Sequence, residues 1–149
     1  MQIAIINGPN LNLLGLREPE IYGHGTLSDL EALLQEEAGR LHMQLSFFQS
    51  NHEGAIVDHI QSLYAHCDGI ILNAAAYTHT SIAILDALKA VSIPVVEVHL
   101  SDPKQREAFR HRSYIAEVAV KTITGQGFAG YIQALRYFAP AGQGAPMAQ

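Results

Sequence analysis

Cysteine is nearly absent. Cys67 is the only one in 149 residues, so no disulfide can form within the chain, and a reducing, cytoplasmic setting is the simplest reading. Long apolar runs are missing too: nothing approaches the ~20 residues of a membrane span. The first apolar run has no basic residues ahead of it and is too short for a signal peptide, so none is expected. Charged residues make up only 15%, yet a hydrophobic content of 48% excludes a disordered chain. The net charge of −5 argues against a nucleic-acid surface, while leaving room for a local basic cluster around a small anion. No segment repeats. No Gly-Lys-Ser/Thr closes a phosphate loop, no Gly-x-Ser-x-Gly elbow is present, and there is no H-E-x-x-H. His52, His59 and His66 recur at a regular interval, which reads as a solvated helix face rather than a metal site. Gly125-Gln126-Gly127-Phe128-Ala129-Gly130 has the spacing of a dinucleotide fingerprint, but the acidic residue needed ~20 positions on is replaced by a Pro/Gly-rich tail. These glycines read as a tight turn and close packing, and Cys67 reads as core.

What is present is the material for one domain, 1–139, followed by a tail, 140–149, expected to fray. Five short apolar runs predict strands: Ile3–Ile6, Leu45–Gln49, Gly69–Leu72, Val95–Val98 and Val118–Thr124. Helical spacing predicts helices around Leu27–Leu41, Ile56–Tyr64, Ile82–Val91 and Tyr131–Phe138. Ser28-Asp29-Leu30-Glu31 fits a capping box. Strands alternating with helices give an α/β fold with a parallel sheet covered on both faces. The helix from Ile82 has almost no polar face, which marks it as buried or as a subunit interface. Asp86 in its middle is either at the one wet spot or an interfacial carboxylate with a partner.

In such a sheet, ligands bind beyond the carboxyl ends of the strands, and polar clusters fall there: Asn7–Tyr22, Asn73–Ser81 and His99-Leu100-Ser101. The first is too long for a passive connection. It reads as a mobile lid bearing Arg17 and Tyr22, with Gly15, Gly23 and Gly25 as hinges. Glu97 and His99 alternate on one strand and so point the same way, an arrangement suited to acid–base work. Arg106 and Arg110 are predicted to share one face of a short helix. With Arg17 they would serve an anionic substrate or an activated tyrosine; Arg112 has no specific role. Tyr22, with an ordinary pKa of ~10, would be about 0.1% ionised near neutrality. Two nearby arginines could lower that by ~1–3 units and make a tyrosinate base accessible; otherwise a loop tyrosine packs or donates a hydrogen bond.

The order and spacing of these motifs resemble the type II 3-dehydroquinate dehydratase family. The resemblance rests on Asn7–Gly15, Arg17-Glu18-Pro19, Tyr22-Gly23, Gln49–Gly54, Asn73–Ser81, Glu97–Ser101, Arg106, Phe109-Arg110-His111 and Gly127–Tyr131. Asp102 stands where the family often has asparagine. The resemblance implies a flavodoxin-like three-layer sandwich with a five-stranded parallel sheet. It also implies trans-dehydration of 3-dehydroquinate to 3-dehydroshikimate, a shikimate-pathway step, without a metal or organic cofactor. Subunits would form trimers that build a homododecamer. Tyr22 would be the base, supported by Arg17 and Arg110. Asn10, through a held water, would stabilise the enolate, and His99, oriented by Glu97, would protonate the departing hydroxyl. The Leu100 and Ser101 amides would grip the carboxylate, Asn73, His79, Arg106 and Arg110 would complete substrate binding, and Asp86 would reach into a neighbour's site. The type I route needs a Schiff-base lysine, and Lys89, Lys104 and Lys121 all lie outside the clusters. A flavin- or nucleotide-binding module and a hydrolase acting on an anionic ester are the competing readings. The first rests on Gly125–Gly130 alone, and the second lacks an activated nucleophile.

Overall fold

The computed structural model describes residues 1–16, 18–22 and 24–142, with Tyr22 described by its backbone only. Strands β1 (Gln2–Asn7), β2 (Gln44–Gln49), β3 (Gly69–Asn73), β4 (Val95–His99) and β5 (Lys121–Thr124) form one sheet in the order β2-β1-β3-β4-β5. Every neighbouring pair is parallel. The helices are α1 (Pro19–Tyr22), α2 (Leu27–Leu41), α3 (Glu53–Ser62), α4 (Ile82–Val91) and α5 (Phe128–Phe138). This is the α/β fold with a parallel sheet covered on both faces that the strand–helix alternation predicts, and the flavodoxin-like sandwich that the family resemblance implies.

Strands covered on both faces must be apolar throughout, and β1, β3 and β4 are buried over almost their whole length. Alternation along β1 sends Ile3 and Ile5 to a layer with Leu30 and Leu34 of α2 and Tyr131 and Leu135 of α5. Ala4 and Ile6 go to the other layer, against Ile56 and Ile60 of α3 and Ile84 and Leu88 of α4. Each fully buried aliphatic side chain of this kind contributes roughly 1.5–3 kcal/mol. Gly130 sits inside α5 where an added Cβ would lie 3.3 Å from Ile123 and 3.5 Å from Val98, so its reading as close packing is correct. The two outer helices of one layer are also tied by charge: Glu37 of α2, buried, accepts from Arg136 of α5 at 2.8 Å.

Several local expectations are corrected. The capping box sits two residues early: Thr26 accepts from the Asp29 amide at 3.1 Å, and Asp29 accepts from the Thr26 amide at 2.9 Å. Helix α2 begins at Leu27, which leaves Ser28 inside the first turn. Strand β5 is shorter than Val118–Thr124, because the Val118 and Ala119 amides bond back to Ile115 at 3.1 and 3.0 Å instead of joining the ladder. Helix α5 starts at Phe128 rather than Tyr131. His59 is not on a solvated face: its ring stacks on Phe48 at 4.1 Å, and its buried Nε2 has no partner among the described residues. Burial pushes its pKa down.

Candidate active site

Strand β1 is flanked by β2 on one side and β3 on the other, so the chain leaves the ends of β1 and β3 in different directions and opens a crevice between them. The register sets Asn7 beside Asn73 at those ends. The Gly8 amide then donates to the Asn73 carbonyl at 2.8 Å. A Cβ at Gly8 would stand 2.4 Å from the Ala74 carbonyl oxygen, so only glycine lets the two loops approach this closely. Asn10 follows with a left-handed backbone, φ 68°, and its amide donates to Asn51 Oδ1 at 2.9 Å.

The Asn7–Tyr22 loop is not wholly a lid. Leu11 and Leu14 are buried in the α2/α5 layer and anchor its first half. Gly15, at φ 89°, follows these anchors, and Leu16 beyond it is 83% exposed. Gly25 also has a packing role: a Cβ there would be 2.6 Å from the Phe128 ring. Arg17, Gly23, the Tyr22 side chain and tail residues 143–149 lie outside the described residues.

Beneath the crevice lies a lock that sequence reading missed. Tyr131, fully buried, donates to Asn7 Oδ1 at 2.6 Å and accepts from Asn73 Nδ2 at 3.0 Å. Asn73 Oδ1 accepts from the Ala75 amide at 3.1 Å, so both ends of its amide are oriented. Burial pushes the Tyr131 phenol pKa up, keeping the hydroxyl neutral as donor and acceptor. Tyr131→Phe strands two buried amide groups. It is expected to destabilise the fold by about 1–3 kcal/mol, read as a lower midpoint in denaturant unfolding.

The wall is made by the end of β4. His99 Nε2 bonds to Glu97 Oε1 as the shared strand face predicts, leaving Nδ1 as the ring nitrogen not engaged by Glu97. Glu97, 1% exposed, also accepts from Ser113 at 2.6 Å, Thr78 at 3.1 Å and Thr122 at 3.3 Å. Burial works against its charge. The hydrogen bond and charge of His99, with the Ser113 and Thr78 hydroxyls, outweigh that and hold the carboxyl below the usual carboxylate range. The carbonyls of His99, Leu100 and Ser101 are bound from behind by the amides of Gly125 and Gly127 at 3.1–3.3 Å, which fixes the bend carrying Leu100 and Ser101.

Pro9, Asn10, Leu11, Asn73, Ala75, Ala76, His79, His99, Leu100, Ser101, Pro103, Arg106 and Arg110 line this crevice. Asn10, Asn73, His79, His99, Leu100, Ser101, Arg106 and Arg110 are therefore brought together as expected from sequence. Arg106 and Arg110 arrive differently from the prediction. They sit at the ends of two 3-10 turns, Pro103–Gln105 and Ala108–Arg110, not on one helix. Arg110 Nε donates to Glu107 at 2.8 Å. His79 Nδ1 donates to the Arg112 carbonyl at 2.7 Å, a backbone role for Arg112; burial pushes the His79 pKa down. Asp102 Oδ1 accepts from the Lys104 amide at 3.1 Å.

A second recess adjoins the first. It shares His79, His99 and Arg110 and adds Glu97, Asp102, Lys104, His111 and Ser113 among others. Lys104 is thus nearer to the site than the sequence suggested, although it is exposed. Asp86 does not border either recess of the single chain. It lies exposed on α4 with Ile82, Ala83, Lys89 and Ala90, while Ile84, Leu85, Ala87, Leu88 and Val91 face the sheet. Among the described residues no group of three His, Cys, Asp or Glu side chains is placed to hold a metal ion, and no helix is long and apolar enough to cross a membrane.

The arrangement pairs a carboxylate-bound imidazole with arginines and oriented amides around a small crevice, a set suited to proton transfer on an anionic compound. Comparison with known proteins agrees. The family model for dehydroquinase class II matches residues 1–139. A 3-dehydroquinate dehydratase from Synechococcus sp. (strain CC9605) is 59% identical over 135 residues, covering 91% of this chain and 92% of that protein. The crystal structure of type II dehydroquinase from Butyrivibrio crossotus superposes with a TM-score of 0.90 at 47% identity, covering 92% of this chain and 96% of that one. That of type II dehydroquinase from Propionibacterium acnes gives 0.88 at 40%, covering 91% and 94%.

Proposed function

The chain belongs to the dehydroquinase class II family, and we propose that it is a 3-dehydroquinate dehydratase whose acid is the His99–Glu97 pair. It eliminates water from 3-dehydroquinate to give 3-dehydroshikimate, a step of the shikimate pathway, without a Schiff base. The observation that carries the assignment of the acid is the contact of His99 with buried Glu97 at the wall of a crevice holding Arg106 and Arg110. Incubation of the purified protein with 3-dehydroquinate, followed by the ultraviolet absorbance of the conjugated enone, tests the activity. No rise in absorbance would reject it.

In the mechanism, Tyr22 as tyrosinate takes a proton from the carbon next to the ketone. Arg17 and Arg110 favour its ionised form. Charge moves to the ketone oxygen, where a preorganised donor lowers the barrier; Asn10, through a water, fills that role. His99 then gives its proton to the hydroxyl as the carbon–oxygen bond breaks, so that water departs and the double bond forms. Glu97 holds the imidazolium. The Leu100 and Ser101 amides and Arg106 grip the substrate carboxylate, and Asn73, His79 and Arg110 complete the binding of substrate. What supports these roles is that Asn10, Asn73, His79, His99, Leu100, Ser101, Arg106 and Arg110 line one crevice, with Glu97 bonded to His99; for Arg17 and Tyr22 the support is the family motif.

Borohydride with substrate is expected to leave the enzyme active, and mass spectrometry should find no adduct on Lys104 or any other lysine. A reduced lysine adduct with loss of activity would reject the enolate route. We further propose a cytoplasmic homododecamer built from trimers, in which Asp86 on the exposed face of α4 enters a neighbour's site. The apolar Ile82 and Ala83 beside it suit an interface.

A further inference from the structure

The geometry points to Ser113, together with Thr78, as a positioning residue that holds Glu97 ionised and aimed at His99, and thereby sets how readily the pair gives up its proton. This rests on the reading of His99 as the acid. A buried carboxylate keeps its charge only if its lone pairs are occupied by donors. Three hydroxyls from three separate segments converge on Glu97: Thr78 from the turn after β3, Ser113 from the loop before β5, and Thr122 from β5. Ser113 is the closest of them at 2.6 Å.

Ser113 is itself fixed in direction. Its Oγ accepts from the Ala116 amide at 3.2 Å, which leaves its proton to point at Glu97; Thr78 Oγ1 stands 2.5 Å away, and its single proton serves either Ser113 or Glu97. The backbone on either side of it is pinned to the turn that carries Thr78 and His79. The Tyr114 amide donates to the Thr78 carbonyl at 2.8 Å, and the Arg112 carbonyl accepts from His79 Nδ1 at 2.7 Å. The clamp that brings Ser113 to Glu97 therefore also orients His79 at the crevice. Ser113 does not line that crevice but the adjoining recess, so its effect on the reaction runs through Glu97.

Hydrogen bonds that draw charge away from Glu97 weaken its hold on the proton it shares with His99. Without the Ser113 hydroxyl the pair binds that proton more tightly and becomes a weaker acid. The other ionisable groups around Glu97 on this side are His79, Asp102, Lys104, Arg110 and His111, all of which Ser113→Ala leaves in place.

The test compares the wild type, Ser113→Ala, Ser113→Thr and Thr78→Val by steady-state kinetics with 3-dehydroquinate across pH. Ser113→Ala is expected to lower kcat about tenfold with KM within about twofold. The alkaline limb of its kcat profile, where the pair loses its proton, should move to higher pH. Ser113→Thr, which keeps the hydroxyl, should recover most of kcat. Thr78→Val should shift the limb the same way by a smaller amount, and it serves as the reading if Ser113→Ala does not fold. An unchanged kcat and profile in Ser113→Ala would overturn the proposal. So would equal losses in the alanine and threonine variants with unmoved limbs, which describe a merely structural role. An inactive wild type would instead reject the functional reading beneath it.

Discussion

Replacing His99 by asparagine is expected to lower kcat for 3-dehydroquinate by about 10²–10⁴-fold, the usual range for a lost general acid, with KM changed little. Hydroxide is a poor leaving group, so bond breaking needs a proton delivered as the bond stretches. His99 is placed for this because Glu97 takes one ring nitrogen and the ring also borders the crevice. The loss should fall on one step only. Proton removal by Tyr22 precedes departure of the hydroxyl, so the variant should still exchange the substrate's acidic carbon-bound proton in deuterated water. Steady-state kinetics and a proton NMR exchange assay read the two effects separately. Full turnover in the variant would exclude His99 as the acid. Loss of exchange together with turnover would place His99 at the first step instead.

How much of this was legible in the sequence depended on whether the signal was local. The β1 run and the loop after it announce themselves, because an apolar strand feeding an Asn- and Gly-rich stretch has few other meanings. Glu97 and His99 could be paired from strand alternation alone. Thr78, Ser113 and Thr122 could not be assigned to Glu97, because their meeting depends on sheet order and loop path and leaves no spacing to read. Tyr131 was hidden for another reason: in a mostly apolar helix a tyrosine looks like core, and only its contacts with Asn7 and Asn73 reveal the polar lock. The helix expected for Arg106 and Arg110 failed at short range. Pro103 opens a 3-10 turn that closes at Gln105, and a second turn follows from Ala108, so the arginines reach one crevice without helical spacing. Asp86 marks the limit of single-chain geometry: its helix is legible, while its part in a site requires a second copy.

Replacing Tyr22 by phenylalanine is expected to abolish nearly all turnover, by at least about 10²–10⁴-fold, without altering the fold or oligomeric state. The change removes one hydroxyl from α1, whose described neighbours Pro19, Glu20 and Ile21 belong to neither core layer. Circular dichroism and sedimentation should therefore match the wild type. The chemical loss is expected to exceed the structural one because the change removes the proposed base itself. His99 is committed to the acid step with Glu97, and a carboxylate is too weak a base to take a carbon-bound proton efficiently. The exchange assay separates this variant from the previous one. Tyr22→Phe should lose deuterium exchange along with turnover, whereas His99→Asn should keep it. Retained exchange in Tyr22→Phe would mean that another group removes the proton. Then the loop after β1 would serve only to cover the substrate, and the requirement for Arg17 beside it would have to be explained by substrate charge alone.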